Sequence, residues 1–107
     1  MKIRIKEDDW NTIRNILDRS FNLPKSRLEW GVIGSIKKIG SSVYLITDVI
    51  KPENKNDLTQ TKGGLCFASH YIRRAQLLSR KNHGCGLIFF HTHPFSINKT
   101  DFSCYDN

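Results

Sequence analysis

The apolar run Gly86-Leu87-Ile88-Phe89-Phe90, followed at once by His91-Thr92-His93-Pro94, constrains this chain more than any other stretch. The run is short and β-prone, which predicts a buried strand. Side chains alternate along a strand, so His91 and His93 leave its end on the same side. Pro94 has no N–H to give to a ladder and stops the pairing there. Two imidazoles on one side, followed by a polar loop carrying a carboxylate, suit a zinc site with three protein ligands and an open fourth position. A His-x-His pair also arises among ordinary surface residues, so its meaning depends on what surrounds it.

Two further features surround it. Ser103 and Asp106 form a Ser-x-x-Asp downstream, and Glu29 stands upstream, just ahead of the glycine-bearing apolar segment Gly31-Val32-Ile33-Gly34. Glutamate, then His-x-His-Pro, then Ser-x-x-Asp, in that order, resembles the JAMM (MPN-plus) motif of zinc isopeptidases and metalloproteases, in particular its prokaryotic JAB branch. The loop from Pro94 to Phe102 is two residues longer than the family's usual spacing. Two added residues change loop-closure entropy little.

The resemblance implies an α/β fold, a three-layer α-β-α arrangement with a curved mixed sheet of the JAB/MPN-like, cytidine-deaminase-like kind. It also implies a zinc ion held by His91, His93 and Asp106, with Glu29 as general base and Ser103 as hydrogen-bond donor to the oxyanion. The implied reaction is hydrolysis of a peptide or isopeptide bond at the C-terminus of a ubiquitin-like protein, often beside E1-like or E2-like partners. The chain ends at Asn107, one residue past Asp106, where family domains continue. The expectation is therefore one domain over residues 1–107, incomplete at its C-terminus. Weakened third ligation, low activity and self-association through an exposed apolar face would follow. Three other readings compete: a RadC-like DNA-associated JAB protein, a catalytically inactive MPN-like interaction module, and a cysteine hydrolase using Cys104. The last explains the fewest residues.

Bulk properties narrow the setting. The start, Met1-Lys2-Ile3-Arg4-Ile5-Lys6, alternates charge and apolar residues unlike a secretory leader, and no apolar run approaches a membrane span, so a cytoplasmic protein is expected. Net charge is +7, but the basic residues are scattered in small clusters (Lys37-Lys38, Arg73-Arg74, Arg80-Lys81) without interleaved aromatics. That favours a solvated face over a nucleic-acid surface. Three cysteines without a Cys-x-x-Cys pair argue for reduced thiols. Cys66 and Cys85, beside apolar runs, are expected to pack as small hydrophobes.

Along the chain, residues 1–6 read as an edge strand or an extended lead-in. A helix capped by Asp8 or Asp9 follows, with Trp10, Ile13, Ile16, Leu17 and Phe21 on its apolar face, ending near Ser20–Asn22 before Leu23-Pro24. Leu28–Ile39 and Val43–Ile50 read as a hairpin around Gly40-Ser41-Ser42. Pro52–Gly64 reads as a long polar loop, equally suited to contacting substrate or to idle solvent exposure. Leu65–Phe67 reads as a short strand. A second helix is capped by Ser69, with Ile72, Ala75, Leu78 and also Gln76 and Leu77 toward the buried side, and closed by Asn82-His83-Gly84. His70 and His83, at its ends, read as polar surface residues rather than ligands.

Overall fold

The computed structural model describes residues 1–22, 30–54, 56–61, 64–92 and 100–106, with residues 19–22, 60–61 and 100–106 described by backbone alone. Its elements are β1 (Lys2–Arg4), α1 (Glu7–Asn22), β2 (Gly31–Gly40), β3 (Val43–Ile50), β4 (Leu58–Thr61), β5 (Gly64–Phe67), α2 (Ser69–Lys81), β6 (Gly86–Thr92) and β7 (Thr100–Asp106). The main sheet has the order β1-β3-β2-β6-β7, and β4 and β5 form a separate two-stranded ribbon. β1 runs parallel to β3; the other pairs are antiparallel, so the sheet is mixed. Among the described residues no helix is long and apolar enough to cross a membrane.

The first six residues of β2, 31–36, and the run 86–90 of β6 are buried on both faces, and their alternation divides the core in two. Val32, Ile36, Ile88 and Phe90 pack with Ile13, Ile16 and Leu17 of α1. Ile33, Leu87 and Phe89 point the other way and pack with Tyr71 and Ala75 of α2 and with Leu58. The helices therefore cover opposite faces of the sheet, giving an α-β-α layering. Each fully buried isoleucine in these clusters stabilises the fold by about 1.5–3 kcal/mol. The apolar run 86–90 is a strand for this reason: every one of its residues is buried, and only a two-faced core accepts such a run.

Several local expectations are corrected. α1 begins at Glu7, so Asp8 and Asp9 sit with Glu7 inside its first turn, where carboxylates meet the positive end of the helix dipole, rather than at the cap. In α2 the cap is Ala68, not Ser69, with no side-chain bond to the helix. Leu77 is 53% exposed, turned away from the core that Ala75 and Tyr71 enter. The left-handed residue closing α2 is His83 (φ 60°), and Gly84, the following residue, bonds its N–H back to the Ser79 carbonyl at 2.7 Å. Cys66 and Cys85 are both exposed; Cys66 alternates with Leu65 and Phe67, which take the inward face of β5. The polar stretch 52–64 contains β4 and a buried Asp57–Leu58 pair. The segment holding Ser103 and Asp106 is a strand rather than a loop, because it completes the free edge of β6.

Candidate functional site

His91 lies near the end of β6 on the face shared with Leu87 and Phe89, half-buried. The residue opposite it on β2 is Gly31. A Cβ at Gly31 would stand 2.5 Å from Phe67 Cζ and 2.7 Å from Leu65 Cδ2, so glycine is what lets the β5 side chains lie against the sheet here. Phe67 in turn meets Phe89 edge-on at 5.0 Å between ring centroids and Tyr71 at 6.0 Å. The β4–β5 ribbon and an aromatic group thus wall one side of the strand end that carries His91.

The ribbon is held at its root by Asp57. Its main-chain carbonyl accepts from the Ala68 N–H at 2.8 Å, tying the start of β4 to the start of α2. Its fully buried carboxylate accepts from the backbone N–H of Glu53 (2.7 Å) and of Asn54 (3.0 Å), from Arg74 Nη2 (2.9 Å), and lies 2.8 Å from His70 Nε2. The Arg74 guanidinium, helped by the two backbone donors and His70, holds this carboxyl well below the usual carboxylate range although burial opposes it. Arg74 also lies over the Tyr71 ring, 4.9 Å from its centroid. The Tyr71 hydroxyl accepts from the Ile33 N–H at 3.0 Å and donates to the Ile50 carbonyl, bridging β2 and β3 where they separate. Burial raises its pKa, so it stays a donor across the physiological range.

Thr92, the residue between the two histidines, is fully buried and binds the Trp30 peptide twice. Its N–H donates to the Trp30 carbonyl at 3.0 Å, and its Oγ1 accepts from the Trp30 N–H at 3.0 Å. In sequence, Glu29 precedes Trp30 and His93 follows Thr92. Motif reasoning passes over Thr92 as the variable position. The signal available in the sequence was its hydroxyl at the end of the otherwise apolar core strand 86–90.

Of the site residues expected from the sequence, His91 alone has a described side chain. Glu29 and His93 lie outside the described residues, as do the side chains of Ser103 and Asp106. The β6–β7 ladder pairs His91 with Asp101, Phe89 with Ser103 and Gly86 with Asp106. The Asp106 backbone is therefore five rungs from His91, about 17 Å at the usual rise of a strand, and that register does not bring the two together. Among the described residues no three His, Cys, Asp or Glu side chains gather into a group that could hold a metal ion. No family model matches the chain, and no curated protein or solved structure matches it significantly.

Proposed function

We propose that the chain is a zinc-dependent metallopeptidase or isopeptidase of JAMM type, with a JAB/MPN-like fold, acting in the cytoplasm at the C-terminus of a ubiquitin-like protein. The observation that carries this reading is the Trp30–Thr92 clamp. It holds Trp30, the residue that follows Glu29 in sequence, against Thr92, the residue between the two histidines, which supports the motif reading. The α-β-α layering, with His91 at the end of a core strand, supports it further.

The donor set has the right chemistry for zinc: two neutral imidazoles and a carboxylate, leaving room for a solvent molecule. His91 and His93 would hold the ion, with Asp106 as the third ligand by motif; the ladder register favours Asp101 instead. Zinc, when bound, lowers the pKa of coordinated water to about 7 and so makes a nucleophile available at neutral pH. Glu29 would act as the general base toward the attacking water and would pass the proton to the leaving amine. Ser103 donates a hydrogen bond to the oxyanion of the tetrahedral intermediate. Leu65, Phe67 and Phe89 would form an apolar wall beside His91.

The test is Glu29→Gln, which keeps the size and removes the base. On a linear fusion to the C-terminus of a ubiquitin-like protein, turnover should fall about 10²-fold or more while zinc content stays the same. Equal turnover in wild type and variant would refute the assignment of Glu29, and no cleavage of any ubiquitin-like fusion by zinc-loaded wild type would refute the reaction.

A further inference from the structure

Past the end of α2, one face of the sheet carries cations on neighbouring strands. α2 covers β2 from Ile33, whose N–H meets the Tyr71 hydroxyl, to Ser35, whose hydroxyl bonds Ser79 Oγ at 2.9 Å, and the helix ends at Lys81. β2 runs on, exposed from Lys37 to Gly40. Leu45 of β3 pairs with Lys37 on one side and with Arg4 of β1 on the other, and Val43 pairs with Lys2. Residues paired across strands share a face, and neighbours along a strand alternate. Ile36, Tyr44 and Ile3 pack on the α1 side, so Lys37, Arg4 and Lys2 take the α2 side. Arg4 and Lys37 are then about 10 Å apart across two strand spacings, and Lys2 is about 7 Å along from Arg4. Arg80 and Lys81 are exposed in the last turn of α2, on the same side of the sheet.

The sequence scatters these residues, and strand pairing gathers them. Among the described residues the ion pairs are both made by Asp57, so none of the five cations has a carboxylate partner there. Asp48, opposite Ser35, brings a carboxylate to this face, but it already accepts from Asn82 Nδ2 at 3.1 Å and from Thr47 Oγ1 at 3.0 Å. α2 contributes no acidic residue, whereas α1 on the opposite face carries Glu7, Asp8, Asp9 and Asp18. Like charges at this spacing repel, and a polyanion relieves the repulsion. Between the cations lie the aliphatic side chains of Val43 and Leu45, both half-buried, while the Tyr44 ring faces α1. That leaves no ring on which the bases of a single strand could stack. It also leaves no aromatic anchor to centre a protein interface, where lysine is depleted. Long, flexible cations without either feature suit a duplex, which presents one negative charge per about 1.7 Å of its axis.

We propose that this face, with Lys2, Arg4, Lys37, Arg80 and Lys81, binds the phosphate backbone of double-stranded nucleic acid without reading its sequence. It is separate from the strand end that carries His91: Lys37 lies six residues along β2 from Gly31, the partner of His91, about 20 Å away. The inference therefore does not depend on the zinc reading.

The experiment titrates the full chain into a labelled DNA duplex of about 20 base pairs, read by fluorescence anisotropy between about 50 and 200 mM salt. Three to five phosphate contacts give a slope of log K against log salt of about −3 to −4.5, a loss on the order of 10²-fold over that range. Lys37→Ala and Arg4→Gln should each make the slope shallower by about 1. Arg14→Ala removes the same charge from the α1 side and should leave the slope unchanged. If Arg4→Gln disturbs the edge strand, Lys37→Ala, at an exposed position, decides alone. Unlabelled duplex should displace the label better than a single strand of equal length, a polyglutamate peptide or phosphatidylserine vesicles. No binding at the lowest salt, or an equal change of slope from Arg14→Ala and Lys37→Ala, would overturn the proposal. So would stronger competition by the single strand, the acidic peptide or the vesicles, which would reassign the face to that partner.

Discussion

Replacing Asp57 with alanine removes the carboxylate that gathers the 53–57 turn, the root of the β4–β5 ribbon and the first turns of α2. Its two backbone donors, Glu53 and Asn54 at 2.7 and 3.0 Å, each lose a charged acceptor, about 1.5–3 kcal/mol apiece. The Arg74 pair is partly solvated, with that side chain 32% exposed, and adds about 1 kcal/mol or less. Together these come to about 3–7 kcal/mol, of which about 4 kcal/mol, inside the range for breaking a buried charge pair, is the expected loss. Against a stability of about 5–15 kcal/mol for a domain, this is a large fraction. With a urea m-value of about 1–3 kcal/mol/M, the midpoint should fall by roughly 2 M. The pH dependence has a definite sign. Asp57 is held below its ordinary value in the folded chain, so its contribution is full above the unfolded pKa of about 3.9. It is lost as the pH drops from there toward the lowered folded value. Asp57→Asn should therefore be less stable than wild type at pH 7 and approach it as the pH falls below 4. A urea midpoint within 0.2 M of wild type for Asp57→Ala at pH 7, on the order of measurement error, or parallel acid limbs for wild type and Asp57→Asn, would refute this account of the anchor.

Gly31→Ala should destabilise the chain by about 1–3 kcal/mol, because its Cβ would press on Phe67 and Leu65; thermal unfolding checks this, and an unchanged Tm would mean that the ribbon does not lie against β2. Tyr71→Phe leaves the Ile33 N–H and Ile50 carbonyl without the hydroxyl that joins them, at about 1–3 kcal/mol. Urea unfolding reads that loss, and a variant equal to wild type would show that β2 and β3 close on each other unaided. Cys66 and Cys85 are exposed, so each should react with a thiol reagent in the native protein, and Cys66→Ser and Cys85→Ser should each remove one equivalent of fast-reacting thiol. A variant that keeps every fast-reacting equivalent of wild type would place that cysteine in the interior.

The parts legible in the sequence are those where a local pattern matches the final environment. The run 86–90 is apolar throughout because both its faces are covered, and α1 shows its core stripe in Ile13, Ile16 and Leu17. The β2–β3 hairpin follows from β-prone runs around Gly40-Ser41-Ser42, with Ser42 taking the positive φ that the turn needs. What escaped depends on distant partners. Asp57 sits in a polar stretch and looks like a loop residue until Arg74, 17 residues on, and His70 close around it. β4 shows little apolar character beyond Leu58, because its pairing with β5 supplies its structure. Thr92 looks incidental between two histidines, and only the approach of Trp30, 62 residues earlier, shows what its hydroxyl does. For the site itself the motif names the residue types, while the pairing of β7 along β6 decides which aspartate shares the rung of His91.

The central claim is that this strand end holds zinc, and elemental analysis of protein purified without added metal tests it most directly. Wild type, His91→Ala/His93→Ala, Asp101→Ala and Asp106→Ala should be measured side by side. The account predicts zinc approaching one ion per chain in wild type, none above background in the double histidine variant, and a loss in one of the two aspartate variants that identifies the third ligand. Zinc content unchanged by removing both histidines, or wild-type protein that takes up no zinc even when it is supplied, would contradict it.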